Sequence, residues 1–163
     1  MASGDTLLFF TSASARPPPS NPATFTARGS HLNLSFSGST NQNAIFQAVM
    51  PRHYGGGGVT VYLHYAMATE TSGDVDWDVA FERIGDGQQD IDSDGFATVQ
   101  SVDNTTVPGT AGFVDIVSIA FTNGAQMDNV AVGEYFRIQV TRDAASDTST
   151  GAAELVAVEI KET

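Results

Sequence analysis

Val59-Thr60-Val61-Tyr62-Leu63-His64-Tyr65-Ala66-Met67 and, after a short break, Val75-Asp76-Trp77-Asp78-Val79-Ala80-Phe81-Glu82 decide the fold class. In the first stretch Val59, Val61, Leu63, Tyr65 and Met67 alternate with Thr60, Tyr62, His64 and Ala66. In the second, Val75, Trp77, Val79 and Phe81 face one way while Asp76, Asp78 and Glu82 face the other. Successive side chains of an extended chain point to opposite faces, so a period of two predicts strands buried on one side. Trp77, flanked by valines on that side, reads as core.

The same period recurs on both sides of this centre. Leu32, Leu34 and Phe36 alternate with Asn33 and Ser35, and further runs cover Ile45 to Met50, Phe96 to Val102, Phe113 to Phe121, Glu134 to Thr141 and Ala153 to Ile160. Gly, Asn, Asp or Pro bounds each run, which is turn chemistry. This predicts about eight strands between Ser30 and Thr163. The best helical candidate, Gly124 to Val130, is long enough for one turn in a connection. The expected fold is all-β, an antiparallel β-sandwich of jelly-roll type. Strand order is not written in the period, so a seven-stranded immunoglobulin-like sandwich stands as the alternative.

The first 29 residues differ from the rest. Pro17-Pro18-Pro19 imposes polyproline geometry and removes backbone donors, and Asn21-Pro22 adds a second stop. Met1 to Gly29 reads as an extended arm ahead of a sandwich domain at 30–163, with Leu7, Leu8, Phe9 and Phe10 as its adhesive part. The alternative is a first edge strand folded back onto its own domain.

Composition limits the function classes. The chain has 163 residues, 7 Lys+Arg against 19 Asp+Glu and a net charge of −12, with 41% hydrophobic and 16% charged residues. That is enough for one domain with a real core and a surface built mainly from neutral polar side chains. Lys161 is the single lysine, which argues against direct binding of nucleic acid or anionic membrane, since both need a basic patch. Without cysteine, disulfides and thiolate metal sites are excluded. No basic-then-apolar leader and no apolar run of about 20 residues is visible, so neither a signal peptide nor a membrane span is expected.

The search for catalytic chemistry is mostly negative, and no enzyme is expected. His31, His53 and His64 lack metal-motif spacing, Gly55 to Gly58 is followed by no phosphate-binding Lys-Ser/Thr, and no nucleophile elbow occurs. Asp76, Asp78 and Glu82 read as a solvated strand face more than as a glycosidase's acid and base. Asp90-Ile91-Asp92-Ser93-Asp94-Gly95 matches the first half of a calcium loop, making Asp90, Asp92 and Asp94 the metal candidates. Ser101 stands at the twelfth position, where a bidentate Glu belongs. Tyr54, Tyr62 and Tyr65 cluster around the glycine tract, and Tyr62 with Tyr65 forms a candidate stacking platform for glycan beside Asp and Asn acceptors.

The stretch Gly58 to Val102 resembles small β-sandwich virion proteins of tailed bacteriophages, notably in Gly73-Asp74-Val75-Asp76-Trp77-Asp78 and Asp90-Ile91-Asp92-Ser93-Asp94. So does its continuation through Asp115 to Phe121 and Gly133 to Val140. Within that group the nearest functional match is the capsid decoration, or cement, protein. The resemblance implies a structural virion protein on the outer surface of the capsid, made in the host cytoplasm. It implies a homotrimer at three-fold positions, with the major capsid protein as partner. The arm, through Leu7 to Phe10 and Pro17 to Pro19, would grip neighbouring capsomers. The alternative is a tail or fibre module that binds host-surface glycan through Tyr62 and Tyr65.

Overall fold

The structure is a computed structural model that describes residues 4–163, and Met1 to Ser3 of the expected arm lie outside the described residues. The described residues form ten strands: β1 Thr6–Thr11, β2 Thr24–Arg28, β3 His31–Phe36, β4 Gln42–Val49, β5 Val59–Met67, β6 Asp74–Ile84, β7 Gln100–Thr106, β8 Val114–Phe121, β9 Tyr135–Arg142 and β10 Ala153–Glu162. Eight of them lie between Ser30 and Thr163, as the alternation predicts. One single-turn 3₁₀ segment, Ala125–Met127, sits in the connection expected to hold a turn.

Two antiparallel sheets pack face to face. One has the order β2-β3-β10-β5-β8, with β1 also on β10, and the other the order β4-β9-β6-β7. From β3 to β10 the chain changes sheet at every connection except the β6–β7 hairpin, which is jelly-roll winding. β10 holds the larger sheet together: β5 lies along one edge, while β3 and β1 share the other end to end, at Ala153–Leu155 and Ala157–Lys161.

The alternating residues fill the space between the sheets. Val59, Val61, Leu63, Tyr65, Val75, Trp77, Val79 and Phe81 are all fully buried. Phe36 and Tyr65 meet Trp77 edge-on at 5.1 and 5.4 Å, and Phe121 meets Phe81 edge-on at 4.9 Å, which is preferred aromatic geometry. Inward parity on β9 runs Phe136, Ile138, Val140, Arg142. The last is a fully buried arginine that donates to Asp147 and to the carbonyls of Ser149 and Gly151.

In the described residues the N-terminal segment lies on its own domain, the alternative of an edge strand folded back. β1 pairs with β10, Leu7 and Phe10 are buried, and Phe10 packs on Phe46 at 5.5 Å, while Phe9 stays exposed. The adhesive residues stick to their own domain because β3 covers only part of β10 and leaves an edge with unmet hydrogen-bonding groups. Arg16 exchanges backbone hydrogen bonds with Ile45, and Asn21 and Ala23 bond Asn43. The residues flanking Pro17, Pro18 and Pro19 thus cover the edge of β4 at Asn43 and Ile45, and the prolines between them bring no N–H with which to extend a ladder.

Two sequence expectations shift in the acidic hairpin. The run expected at Phe96 to Val102 pairs regularly only from Gln100, although Ala97 N–H already bonds the Phe81 carbonyl at 2.7 Å. Asp76 and Glu82, expected on a solvated face, are buried. Asp76 sits in a bulge and accepts the Asn104 N–H at 2.6 Å, and residues 85–99 fold back over the sheet near Glu82. Strand period reports which face a residue takes and cannot report a loop that later covers that face.

Candidate ligand-binding face

The outer face of the β4-β9-β6-β7 sheet collects the most chemistry. Outward residues line up across the strands in rows: Val49–Tyr135–Ile84, Gln47–Arg137–Glu82, Ile45–Gln139–Ala80 and Asn43–Thr141–Asp78–Ser101. Directly opposed side chains touch in an antiparallel sheet, so each row is a line of contacts. Thr141 Oγ1 donates to Asn43 Oδ1 at 2.6 Å, Ser101 to Asp78, and the Tyr135 hydroxyl to Gln47 Oε1 at 3.2 Å. The result is a floor of amide, hydroxyl and carboxylate groups held in place from below.

Residues 85–99 wall this floor on the β6 side. The loop is pinned by Gly85 N–H to Gln89 Oε1 at 2.7 Å and by Arg83 Nη2 to Gln88 Oε1 at 2.9 Å. Phe96 reaches over β6 and lays its ring 5.2 Å from the Arg137 guanidinium carbon, a cation–π contact. Two hollows flank this stack. One, of about 260 Å³, is lined by Glu82, Ile84, Ile91, Tyr135 and Arg137. The other, of about 160 Å³, is lined among others by Asp78, Phe96, Val99, Gln139 and Thr141. Each combines apolar walls with a few fixed polar groups, the usual composition of a small-molecule site.

Electrostatics single out Glu82 and Asp78. Arg137 directs Nε and Nη2 onto Glu82 Oε2, and this hydrogen bonding pushes the guanidinium pKa up against the effect of burial. Among the described residues Glu82 Oε1 is buried with no hydrogen-bond partner. Such an atom loses hydration without replacement, so a native structure that retains one calls for a ligand or an ordered water. Burial raises the Asp78 carboxyl above its ordinary range, the Ser101 hydrogen bond opposes it, and the charges of Asp143, Asp103 and Asp76 add to the rise.

The residues singled out from sequence are not brought together. Tyr65 and Tyr62 lie three apart on β5 and so take opposite faces. Tyr65 is core, its hydroxyl on Asp115 Oδ2 at 3.1 Å and its ionisation driven upward by burial and then by the Asp115 charge. Tyr62 alone is outward, between Ser118 and Glu159 on the other sheet, and Tyr54 is buried with its hydroxyl on the Gly57 carbonyl. The paired platform therefore does not form. Asp90, Asp92 and Asp94 do not converge either: Asp90 Oδ1 accepts the Asp92 N–H at 3.0 Å and its carbonyl the Asp94 N–H at 2.8 Å, which closes a turn. Among the described residues no three His, Asp or Glu side chains are grouped to hold a metal ion.

Sequence reasoning missed Tyr135, Arg137, Gln139 and Thr141. Their uniformly polar outward parity on β9 was a signal, but its meaning depends on which strands lie beside β9.

No protein-family model matches the chain, and no curated protein sequence matches it. Solved structures do. The C-terminal CBM6 of LamC, a marine laminarinase from Zobellia galactanivorans, aligns with 14% identity and a TM-score of 0.57 over 97% of this chain and 100% of its own. The carbohydrate-binding module CBM6cm-2 of Cellvibrio mixtus lichenase 5A, solved with cellotriose, gives 9% identity and 0.53 over 98% and 99%. The xylan-binding CBM22-2 domain of Paenibacillus barcinonensis Xyn10C gives 13% and 0.52 over 92% of each chain. At these identities the similarity shows the fold: an all-β sandwich shared, end to end, with carbohydrate-binding modules.

Proposed function

We propose that this protein is a non-catalytic carbohydrate-binding module that takes saccharide on the outer face of the β4-β9-β6-β7 sheet. The observation that carries the reading is the pair of hollows flanking the Phe96–Arg137 stack on a floor of prepositioned polar side chains. A sugar ring presents hydroxyls at its rim and C–H groups on its faces. The rim suits Gln139, Thr141, Asp78 and Glu82, and the faces suit Ile91, Phe96 and Val99. Because the floor groups are held by cross-strand hydrogen bonds, little side-chain entropy is lost on binding. The fold shared with carbohydrate-binding modules supports the same reading.

The capsid-decoration reading depended on an arm free to grip a neighbour. With Leu7 and Phe10 in the chain's own core and the residues flanking Pro17 to Pro19 on its own sheet edge, that grip loses its anchors. The glycan-binding alternative is the better supported, at a different face from the one expected. The test is a glycan-array and polysaccharide-retention measurement on wild type, Gln139→Ala and Tyr62→Ala. Binding lost in Gln139→Ala and kept in Tyr62→Ala is the expected result. The reverse pattern would move the site to the β5 face, and no binding by the wild type would overturn the function.

A further inference from the structure

We infer that a hollow on the outer face of the other sheet is a second saccharide subsite, one that takes the acetyl group of an acetylated sugar, as amide or ester; this rests on the glycan-binding reading above. The hollow opens at a bulge in β10. Leu155 pairs with Leu34 of β3 and Tyr65 of β5, and Ala157 with Thr11 of β1 and His64 of β5, which leaves Val156 out of register where β3 ends and β1 begins. A bulge bends its strand and re-aims a side chain, and such irregularities gather at functional sites. Val156, Ala66 and Val114 line the resulting space of about 180 Å³. Val114 and Ile116 carry the apolar surface outward along β8, at 53% and 54% exposure.

Arg28 and Asn33 bring hydrogen-bond donors to this apolar lining. Arg28 Nη1 donates to the carbonyls of Met67 at 3.3 Å and Ala68 at 3.0 Å and to Glu154 Oε2 at 2.9 Å, so the guanidinium is fixed in place. Among the described residues its Nε and Nη2 make no hydrogen bond, and they are open to solvent on a side chain 37% exposed. Gly112, at φ +83°, gives the guanidinium room, since a Cβ there would stand 2.7 Å from Nη2. Asn33 is 2% exposed, and its amide has no partner among the described residues either; Oδ1 is occluded, which leaves Nδ2 as the group it offers. His31, the third polar residue of the lining, is exposed and can give or take a hydrogen bond.

These groups call for a ligand with an acceptor beside an apolar group and no net charge. Glu154 already balances Arg28, so a carboxylate would find donors but no uncompensated positive charge, in a chain of net charge −12. A hydroxyl accepts a hydrogen bond but leaves Ala66, Val114 and Val156 uncovered. An acetyl group sets its carbonyl oxygen on the free donors of the guanidinium and its methyl group on those three side chains.

The test is a heteronuclear NMR titration of the intact chain at about pH 7, where a uronic acid is ionised. The probes are methyl β-glucoside, its acetamido form, its acetyl-ester form and methyl β-glucuronide. An acetylated glycoside should shift the backbone signals of Ala66, Gly112, Val114 and Val156 and bind at least about tenfold tighter than the parent, while the uronide leaves those signals unmoved. The tighter of the two acetylated forms identifies amide or ester as the source. Arg28→Lys, whose folding is checked by its melting temperature, keeps the charge opposite Glu154 but loses the fork of Nε and Nη2, so the preference should disappear. Val114→Asn removes an apolar wall at an exposed position and should weaken the acetylated glycoside several-fold. Arg52→Lys makes the same exchange in the β4–β5 connection, at the other end of β5, and should keep the wild-type preference. Equal binding of the parent and the acetylated forms overturns the inference, and so does a uronide that binds as tightly as they do, which would mark an anion site. Silence of the four signals overturns it too, and the glycan reading then stands or falls on the array measurement above.

Discussion

Phe10→Ala measures whether the first strand belongs to this domain's core. Phe10 is 7% exposed and stacks on Phe46 at 5.5 Å, whereas Phe9, the next residue on the same strand, is 61% exposed. Truncating a buried phenylalanine costs about 3–5 kcal/mol through lost transfer energy and the cavity left behind. β1 pairs on one side only, so the site can relax around the cavity and return part of the cost, and the lower end, about 3 kcal/mol, applies. For a domain of this size that lowers the melting temperature by about 6–12 °C. Phe9→Ala should fall within about 0.5 kcal/mol of wild type, as exposed substitutions do. Urea unfolding of both variants, followed by Trp77 fluorescence and by circular dichroism, gives the two values side by side. A Phe10→Ala stability within about 0.5 kcal/mol of wild type would show that the segment does not dock on its own sandwich. It would also return Leu7 to Phe10 to the role of anchors for a neighbour.

Asp147→Ala should destabilise by about 3–5 kcal/mol in the same assay, because it strips the carboxylate from Arg142 at a site where both side chains are buried, 0% and 1% exposed. Two substitutions should respond to pH in opposite senses. Hydrogen bonds from Arg83 hold Glu134 below the usual carboxylate range. Its stabilisation is therefore present above the unfolded-state pKa and lost as pH falls through the folded one, and the melting deficit of Glu134→Gln should shrink in acid. Asp78 is raised by burial, so its ionised form carries a penalty above the folded pKa that protonation relieves. Asp78→Asn should melt higher than wild type near neutral pH, with the gain disappearing as pH is lowered. Melting curves across the acid range check both signs.

The alternation of Val59 to Met67 and Val75 to Phe81 was enough to determine the class of fold and the core position of Trp77, and its recurrence along the chain gave the eight strands of 30–163. Burial of one strand face is a local property, and a period of two records it directly. The same local record could not say that Leu7 and Phe10 would be claimed by β10, since that depends on an unfilled edge of a strand about 150 residues away in sequence. Nor could it show that Glu82 lies beneath Arg137 and a returning loop, or that Tyr62 and Tyr65 diverge while Glu82, Arg137 and Gln47 form one row. β4, β9 and β6 are neighbours only because the jelly-roll winding carries them into the same sheet. The residues that make the candidate site are each ordinary on their own strand, and only the packing of the strands into register gathers them on one surface.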